Sequence, residues 1–206
     1  MKSPACPIYV DFDDCLSQTA NALMGVLKQE FNKTIPYESI VSFDLEKSFG
    51  ITKEQWDHLM ALAHDANTLL TMPVIEGAVK GMNSLHQAGF AIHIVTGRPP
   101  SSREQSKEWL DKNHIPYNQI YFVDKYLRFP KDQSADFWTL NELTQQKYAF
   151  AVEDSGMMAE YIAVNMRTPV YLLDRPWNRK INASTTDGLI TRCSGWEMLV
   201  ERVMRG

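Results

Sequence analysis

The sequence predicts an α/β fold, a doubly wound parallel sheet with a small helical cap inserted after its first strand. Three observations carry that expectation. Short apolar runs alternate with segments of helical periodicity, the pattern of parallel βαβ units. Polar or acidic clusters follow three of those runs directly, where the carboxyl edge of one sheet would lie. The stretch between the first two strands holds more helical pattern than a single crossover needs.

The elements follow in order. Residues 7–10 (Pro7, Ile8, Tyr9, Val10) read as a strand, and residues 19–33 as a helix with Ala20, Leu23, Met24, Leu27 and Phe31 at helical spacing. Thr52 and Gln55 make a capping box ahead of a second amphipathic helix carrying Trp56, Leu59, Met60 and Ala63. A helix over 76–88 ends at Gly89, and 90–95 is the second strand. Ser101 to Glu104 reads as another capping box, 120–123 as the third strand and 132–143 as a helix. A strand over 148–152, a helix over 156–165 and a strand over 170–173 follow, and Ser194 opens a final helix. Five strands result. The excess in the first crossover places a cap over 17–75, and residues 1–16 and 76–206 form the α/β core.

Composition narrows the function. The 206 residues are 44% hydrophobic, enough for a core without disulfides. The net charge of -4 offers no global basic face for a nucleic-acid backbone. Cys6, Cys15 and Cys193 have neither metal-ligand spacing nor an even disulfide set, which fits reduced thiols. The opening MKSPACPIYV lacks a signal peptide's apolar stretch, and no apolar run is long enough to span a bilayer. A cytoplasmic protein is expected, with no membrane partner.

Three segments could carry chemistry. Asp11-Phe12-Asp13-Asp14 follows the first strand; buried carboxylates there would need a partner or a cation, and the alternative is a solvated acidic turn. Thr96-Gly97-Arg98 offers a hydroxyl, an amide and a guanidinium that can converge on a phosphate, or forms a plain β-to-α turn. Glu153-Asp154-Ser155 supplies two more acids, or an N-cap. Together they would meet at one sheet edge, where Asp11 and Asp154 can offer magnesium hard oxygen ligands.

This constellation resembles the haloacid dehalogenase superfamily of phosphohydrolases, through Asp11-x-Asp13 with Leu16, Thr96, and Glu153-Asp154, over about residues 8–175. The resemblance implies a Rossmann-like core and magnesium-dependent hydrolysis of a phosphomonoester. Asp11 would be the nucleophile that forms an aspartyl phosphate. Asp13 would be the general acid and then base, and would ligate the metal through its backbone carbonyl. Thr96 would hold a phosphoryl oxygen. Asp154 would be a metal ligand and Glu153 a direct or water-mediated one. Family dehalogenases do not need the second aspartate, so Asp13 favours phosphate chemistry. Asp14-Cys15 stands where the family often has Gly-Thr or Gly-Val; Cys15 would pack, and Asp14 is given no role. The family's charge-neutralising lysine is Lys131 or Lys125, with Lys131 preferred for its place at the start of the helix before the fourth strand.

A narrower resemblance is to the 5'(3')-deoxyribonucleotidase family, through the short helical cap and the segment from Tyr171 to Arg179. It implies a nucleoside monophosphate substrate. Gly97 and Arg98 would contact it, and Phe43 and Phe49 are the base-stacking candidates, Trp56 being assigned to packing. Arg175, Asn178 and Arg179 either touch substrate or decorate a loop. Relatives commonly have Thr-Ser-Pro where this chain has Thr96-Gly97-Arg98. Other readings stay open: a phosphatase of another small metabolite, a polynucleotide end phosphatase, or a non-catalytic phosphate-binding module. Nucleic acid is not the expected partner, and a homodimer is left open.

Overall fold

The computed structural model describes residues 6–42, 45–129, 136–181 and 186–205. Its centre is a six-stranded parallel sheet in the order β3-β2-β1-β4-β5-β6. The strands are β1 (Ile8–Val10), β2 (Ile92–Thr96), β3 (Gln119–Phe122), β4 (Ala151–Glu153), β5 (Val170–Leu173) and β6 (Ile190–Cys193). β1 lies between β2 and β4, with Val10 facing Ile94 on one side and Val152 on the other. The chain reverses its direction of travel across the sheet at β1, so a crevice opens beyond the ends of β1, β2 and β4.

The pleat sorts side chains to two faces. Ile8, Val10, Ile92, Ile94 and Phe122 pack against α5 (Ala78–Gln87), α6 (Arg103–Lys112) and α9 (Trp196–Arg205). Tyr9, Val95, Ala151, Val170 and Leu172 pack on the other face against α8 (Gly156–Asn165) and Leu143 of α7 (Leu140–Thr144). A third apolar cluster lies between β1 and α5. There Ala20, Leu23 and Leu27 of α1 (Thr19–Phe31) meet Phe49 at the end of α2 (Leu45–Phe49) and Leu59 and Ala63 of α3 (Lys53–Ala63). α4 (Ala66–Thr71) returns toward the sheet. The chain leaves and re-enters side by side: Ser17 pairs antiparallel with Val74, and Gln18 N–H donates to Pro73 O at 2.8 Å.

Several local expectations change. β6 was absent from the five-strand reading because Ile-Thr-Arg-Cys carries little apolar signal; its backbone pairs with β5 from Val170 to Leu173. Of the helix expected over 132–143, residues 132–135 lie outside the described residues; within the described part the helix is α7, since Thr139 Oγ1 accepts from Glu142 N–H and fixes the start at Leu140. Ahead of it Trp138 pairs with Val123 in a single parallel bridge. The capping box at Thr52 and Gln55 forms in both directions. The one expected around Ser101 to Glu104 does not, because Ser102 Oγ donates back to Pro99 O at 2.7 Å within a 3₁₀ turn over Pro100–Ser102. α5 begins after Gly77, whose φ of 78° lies outside helical space.

Candidate active site

Asp11 continues β1 by one residue, its N–H donating to Val152 O at 3.0 Å. Beside it, Lys125 projects from the turn after β3 with its Nζ 2.7 Å from Asp11 Oδ1 and 2.8 Å from Glu153 Oε1. The ammonium is fully buried, and desolvation opposes its charge, yet the two carboxylates outweigh that and raise its pKa. Gly97 makes room for this arrangement: a Cβ there would come 3.4 Å from Lys125 Cδ and 3.1 Å from the Tyr126 ring. Lys131, the preferred lysine of the sequence reading, lies outside the described residues, as does Phe43.

Glu153, expected as a direct or water-mediated metal ligand, lies at the end of β4 with both carboxylate oxygens hydrogen-bonded. It is 0% exposed, and its Oε1 accepts from Tyr9 OH at 2.6 Å as well as from Lys125, while Oε2 accepts from Ser155 N–H at 3.2 Å. Oε1 thus holds the lysine, and Oε2 is engaged by one backbone amide. Among the described residues, Asp11, Cys15 and Asp154 bring one donor atom each within 4.8 Å of one another, a group that could hold a metal ion. Burial pushes the Cys15 thiol well up, so the hard donors are the two carboxylates. Burial and then the Glu153 and Asp14 charges raise Asp154 well above the usual carboxylate range. Buried carboxylates with this excess of negative charge fit a divalent cation such as magnesium, which accepts oxygen ligands and retained water. Asp154 is aimed by Trp177, whose Nε1–H donates to Oδ2 at 2.8 Å, and by Asn178, whose Nδ2–H donates to the Asp154 carbonyl at 2.7 Å.

Thr96 ends β2 fully buried, its Oγ1 accepting the Arg98 N–H at 3.1 Å. Gly97 and Arg98, expected at the substrate, both border the cavity over the site; Arg98 is 3% exposed and grips Asp13 bidentately, with Nη2 2.7 Å from Oδ1 and Nε 3.1 Å from Oδ2. Burial would raise the Asp13 pKa; Arg98 and the Thr19 hydroxyl overcome it and hold the carboxyl below its usual range. Asp14, given no role from sequence, adopts a left-handed φ of 55° and its carboxylate accepts the Ala20 N–H at 3.1 Å, satisfying one free amide of α1. Arg175 fixes that turn through Nη2–H to Asp14 O at 2.7 Å. Arg175 and Asn178 are thus braces of the acidic loops.

A cavity opens over these groups toward α1, α3 and α4, walled by Leu23, Trp56, Met60, His64, Met72 and Trp177. Phe49 is not among its walls. That side chain is 1% exposed inside the α1–α3 cluster, so it packs and cannot stack on a ligand. Trp56, assigned to packing from its stripe, is half-buried and does both: it packs on that cluster and faces the cavity. His64, one of the cap's ring-bearing residues read from sequence beside Phe43, Phe49 and Trp56, does line the cavity; Trp177 was given no role of its own, though its segment was placed at this edge by its position just after β5.

The sequence profile of the family described as 5' nucleotidase, deoxy (pyrimidine), cytosolic type C matches residues 5–136. A candidate nucleotidase of Halalkalibacterium halodurans is 26% identical over 170 residues, covering 82% of this chain and 80% of that protein. A candidate 5'(3')-deoxyribonucleotidase of Chlorobaculum tepidum is 31% identical over 134 residues, 60% of this chain and 65% of that one. Among solved structures, a haloacid dehalogenase family hydrolase from Deinococcus radiodurans superposes with a TM-score of 0.62 at 14% identity, over 99% of this chain and 97% of that chain. Protein tyrosine kinase A of Mycobacterium tuberculosis has a TM-score of 0.65 at 14% identity, over 98% and 99%, a likeness of fold alone. The matched profile spans more than half of the chain and contains Asp11, Asp13, Thr96 and Lys125, so this protein belongs to the 5' nucleotidase, deoxy (pyrimidine), cytosolic type C family, phosphoric monoester hydrolases of the haloacid dehalogenase superfamily.

Proposed function

We propose that the protein hydrolyses nucleoside monophosphates with magnesium, through an aspartyl phosphate on Asp11. The observation that carries this reading is the convergence of Asp11, Lys125, Thr96 and Asp154 at one sheet edge, with Lys125 Nζ 2.7 Å from Asp11 Oδ1. Lys125 occupies Oδ1, and the other Asp11 oxygen attacks phosphorus, splitting one hard displacement into two easier ones. Lys125, rather than the sequence-preferred Lys131, offsets the charge of the transferring phosphoryl group, and Thr96 holds one of its oxygens. Asp13 gives the leaving oxygen its proton and later takes one from water. When bound by Asp11, Asp154 and the Asp13 carbonyl, magnesium supplies Lewis-acid polarisation and a template for the phosphate.

The segment over 17–75 acts as the cap in this reading, and its Trp56 and His64 support a planar, aromatic leaving group above the phosphate site. An aromatic wall favours a nucleobase over a sugar, since stacking is worth roughly 1–3 kcal/mol per base. The free Cys15 and Cys193, buried without a disulfide, support a reducing, cytoplasmic setting. Among the described residues no helix is long and apolar enough to cross a membrane. The test is phosphate release from nucleoside and deoxynucleoside monophosphates, sugar phosphates and a 3'-phosphorylated oligonucleotide, with magnesium and with chelator. Nucleotides should lead in kcat/KM and chelator should abolish turnover; a leading sugar phosphate removes the nucleotidase reading, and full activity in chelator removes the metal.

A further inference from the structure

We infer that Arg98 is the positioning residue of Asp13: it anchors one carboxylate oxygen, Oδ1, so that the other, Oδ2, exchanges protons with the leaving group and with water. The inference rests on the reading of Asp13 as the acid and base of the reaction.

The guanidinium has little left to offer a phosphate. Nε donates to Asp13 Oδ1 at 3.0 Å and to Oδ2 at 3.1 Å, and Nη2 donates to Oδ1 at 2.7 Å and to Ser17 Oγ at 3.2 Å. Nη1 donates to Ser106 Oγ of α6 at 3.2 Å, and the guanidinium carbon lies 3.8 Å from the centroid of the Phe12 ring. Such a fork held on several sides fixes direction as well as charge.

The two Asp13 oxygens are treated unequally. Oδ1 also accepts from Thr19 Oγ1 at 2.5 Å and from Ser17 Oγ at 3.4 Å, whereas the only described bond to Oδ2 is the 3.1 Å contact with Arg98 Nε. Asp13 borders the cavity, so its less engaged oxygen is the one available for proton transfer. Arg98 also meets both ends of the α1–α4 segment, through Ser17 and through Met72 Sδ at 3.5 Å. The acid is thereby registered to the entry and exit of that segment.

The chemistry balances as follows. In the first half an Asp11 oxygen bonds to phosphorus, the bond from phosphorus to the leaving oxygen breaks, and protonated Asp13 gives its Oδ2 proton to that oxygen, which departs as an alcohol. In the second half water bonds to phosphorus and gives a proton to the Asp13 carboxylate. The Asp11-to-phosphorus bond then breaks and inorganic phosphate leaves.

Comparing leaving groups tests the inference, because kcat/KM reads only the steps up to release of the leaving group. Nitrophenoxide departs without a proton, while the 5' oxygen of a nucleoside needs one. Positioned general acid catalysis supplies about 10²–10⁴-fold. Arg98→Met should therefore lower kcat/KM for a nucleoside 5'-monophosphate by about 100-fold or more, and for 4-nitrophenyl phosphate by less than about tenfold. Arg98→Lys, which keeps the charge and loses the fork, should give an intermediate ratio. The double variant Asp13→Asn/Arg98→Met should match Asp13→Asn alone, since the two act as one unit. The substrate ratio cancels the folded fraction, so a poorly folded Met variant still reports, and the Lys variant reports independently. Equal falls on both substrates, or additive losses in the double variant, overturn the inference. A wild-type enzyme inactive on both substrates defeats the phosphohydrolase reading and this inference with it. An active wild type with an unmoved ratio overturns the inference alone.

Discussion

Lys125→Met keeps the chain length and removes the ammonium that faces Asp11 and Glu153. Both carboxylates are buried, the Glu153 side chain completely, and they lie 2.7 Å and 2.8 Å from Nζ. Deleting one partner of a buried ion pair costs about 3–5 kcal/mol, because the other is left charged and dry. Here Glu153 retains the Tyr9 hydroxyl and the Ser155 amide, which places the loss toward the lower end, about 3–4 kcal/mol. With a urea m-value of about 2 kcal/mol/M, the unfolding midpoint should drop by about 1.5–2 M. The measurement belongs in chelator, so that a bound cation does not offset the freed charges. Lys125→Met/Glu153→Gln removes one of those charges and should recover at least about 1 kcal/mol of the loss. Turnover of the single variant in saturating magnesium should fall about 10²–10³-fold, the scale for losing one preorganised electrostatic contact. A midpoint within about 0.3 M of wild type, with activity retained, would refute the assignment. So would a Lys131→Met variant that alone is inactive.

Three further outcomes are expected. Trp56→Ala should lower kcat/KM for nucleoside monophosphates by about 5- to 150-fold through lost stacking, leaving 4-nitrophenyl phosphate within about threefold; parallel losses would return Trp56 to a packing role. Gly81→Ala places a Cβ 2.5 Å from Trp196 Cε3 at the contact of α5 and α9, so denaturation should report a loss of about 1–3 kcal/mol, and an unchanged midpoint would contradict that close approach. His93 sits on β2 between the Tyr121 and Tyr148 rings, and burial holds its pKa below the ordinary value. Its neutral form is favoured in the folded state, so the unfolded chain binds more protons and stability falls as pH drops through about 6.5. His93→Phe should flatten that slope in urea titrations between pH 7 and 5.5, and an identical slope would show that His93 does not contribute.

Legibility followed how local each signal was. Asp11, Thr96 and Asp154 could be placed because each directly follows an apolar strand, and strand ends in a parallel sheet share one edge. Thr52 and Gln55 were readable because a capping box closes within four residues. Strand β6 was not readable: Ile190 to Cys193 is half polar and becomes a strand only by pairing with β5. Phe49 and Trp56 could not be told apart because helical spacing places a side chain on a stripe without saying which neighbour covers it; Phe49 is enclosed in the α1–α3 cluster, whereas Trp56 packs on that cluster and also faces the cavity.

The sequence by itself determined the α/β class, the crevice at the strand ends and the presence of acids and a threonine there. Each of these depends on periodicity and on position relative to a strand. Only the tertiary structure decided which acid faces which cation. Glu153 and Asp154 are neighbours in the chain, yet one is held by Lys125 and the other by Trp177. Arg98 follows the phosphate-type turn, yet it holds Asp13, 85 residues away in sequence. Partner choice among buried charges is settled by desolvation. A charge removed from water must take the nearest opposite charge or donor in space, and sequence spacing does not encode that distance.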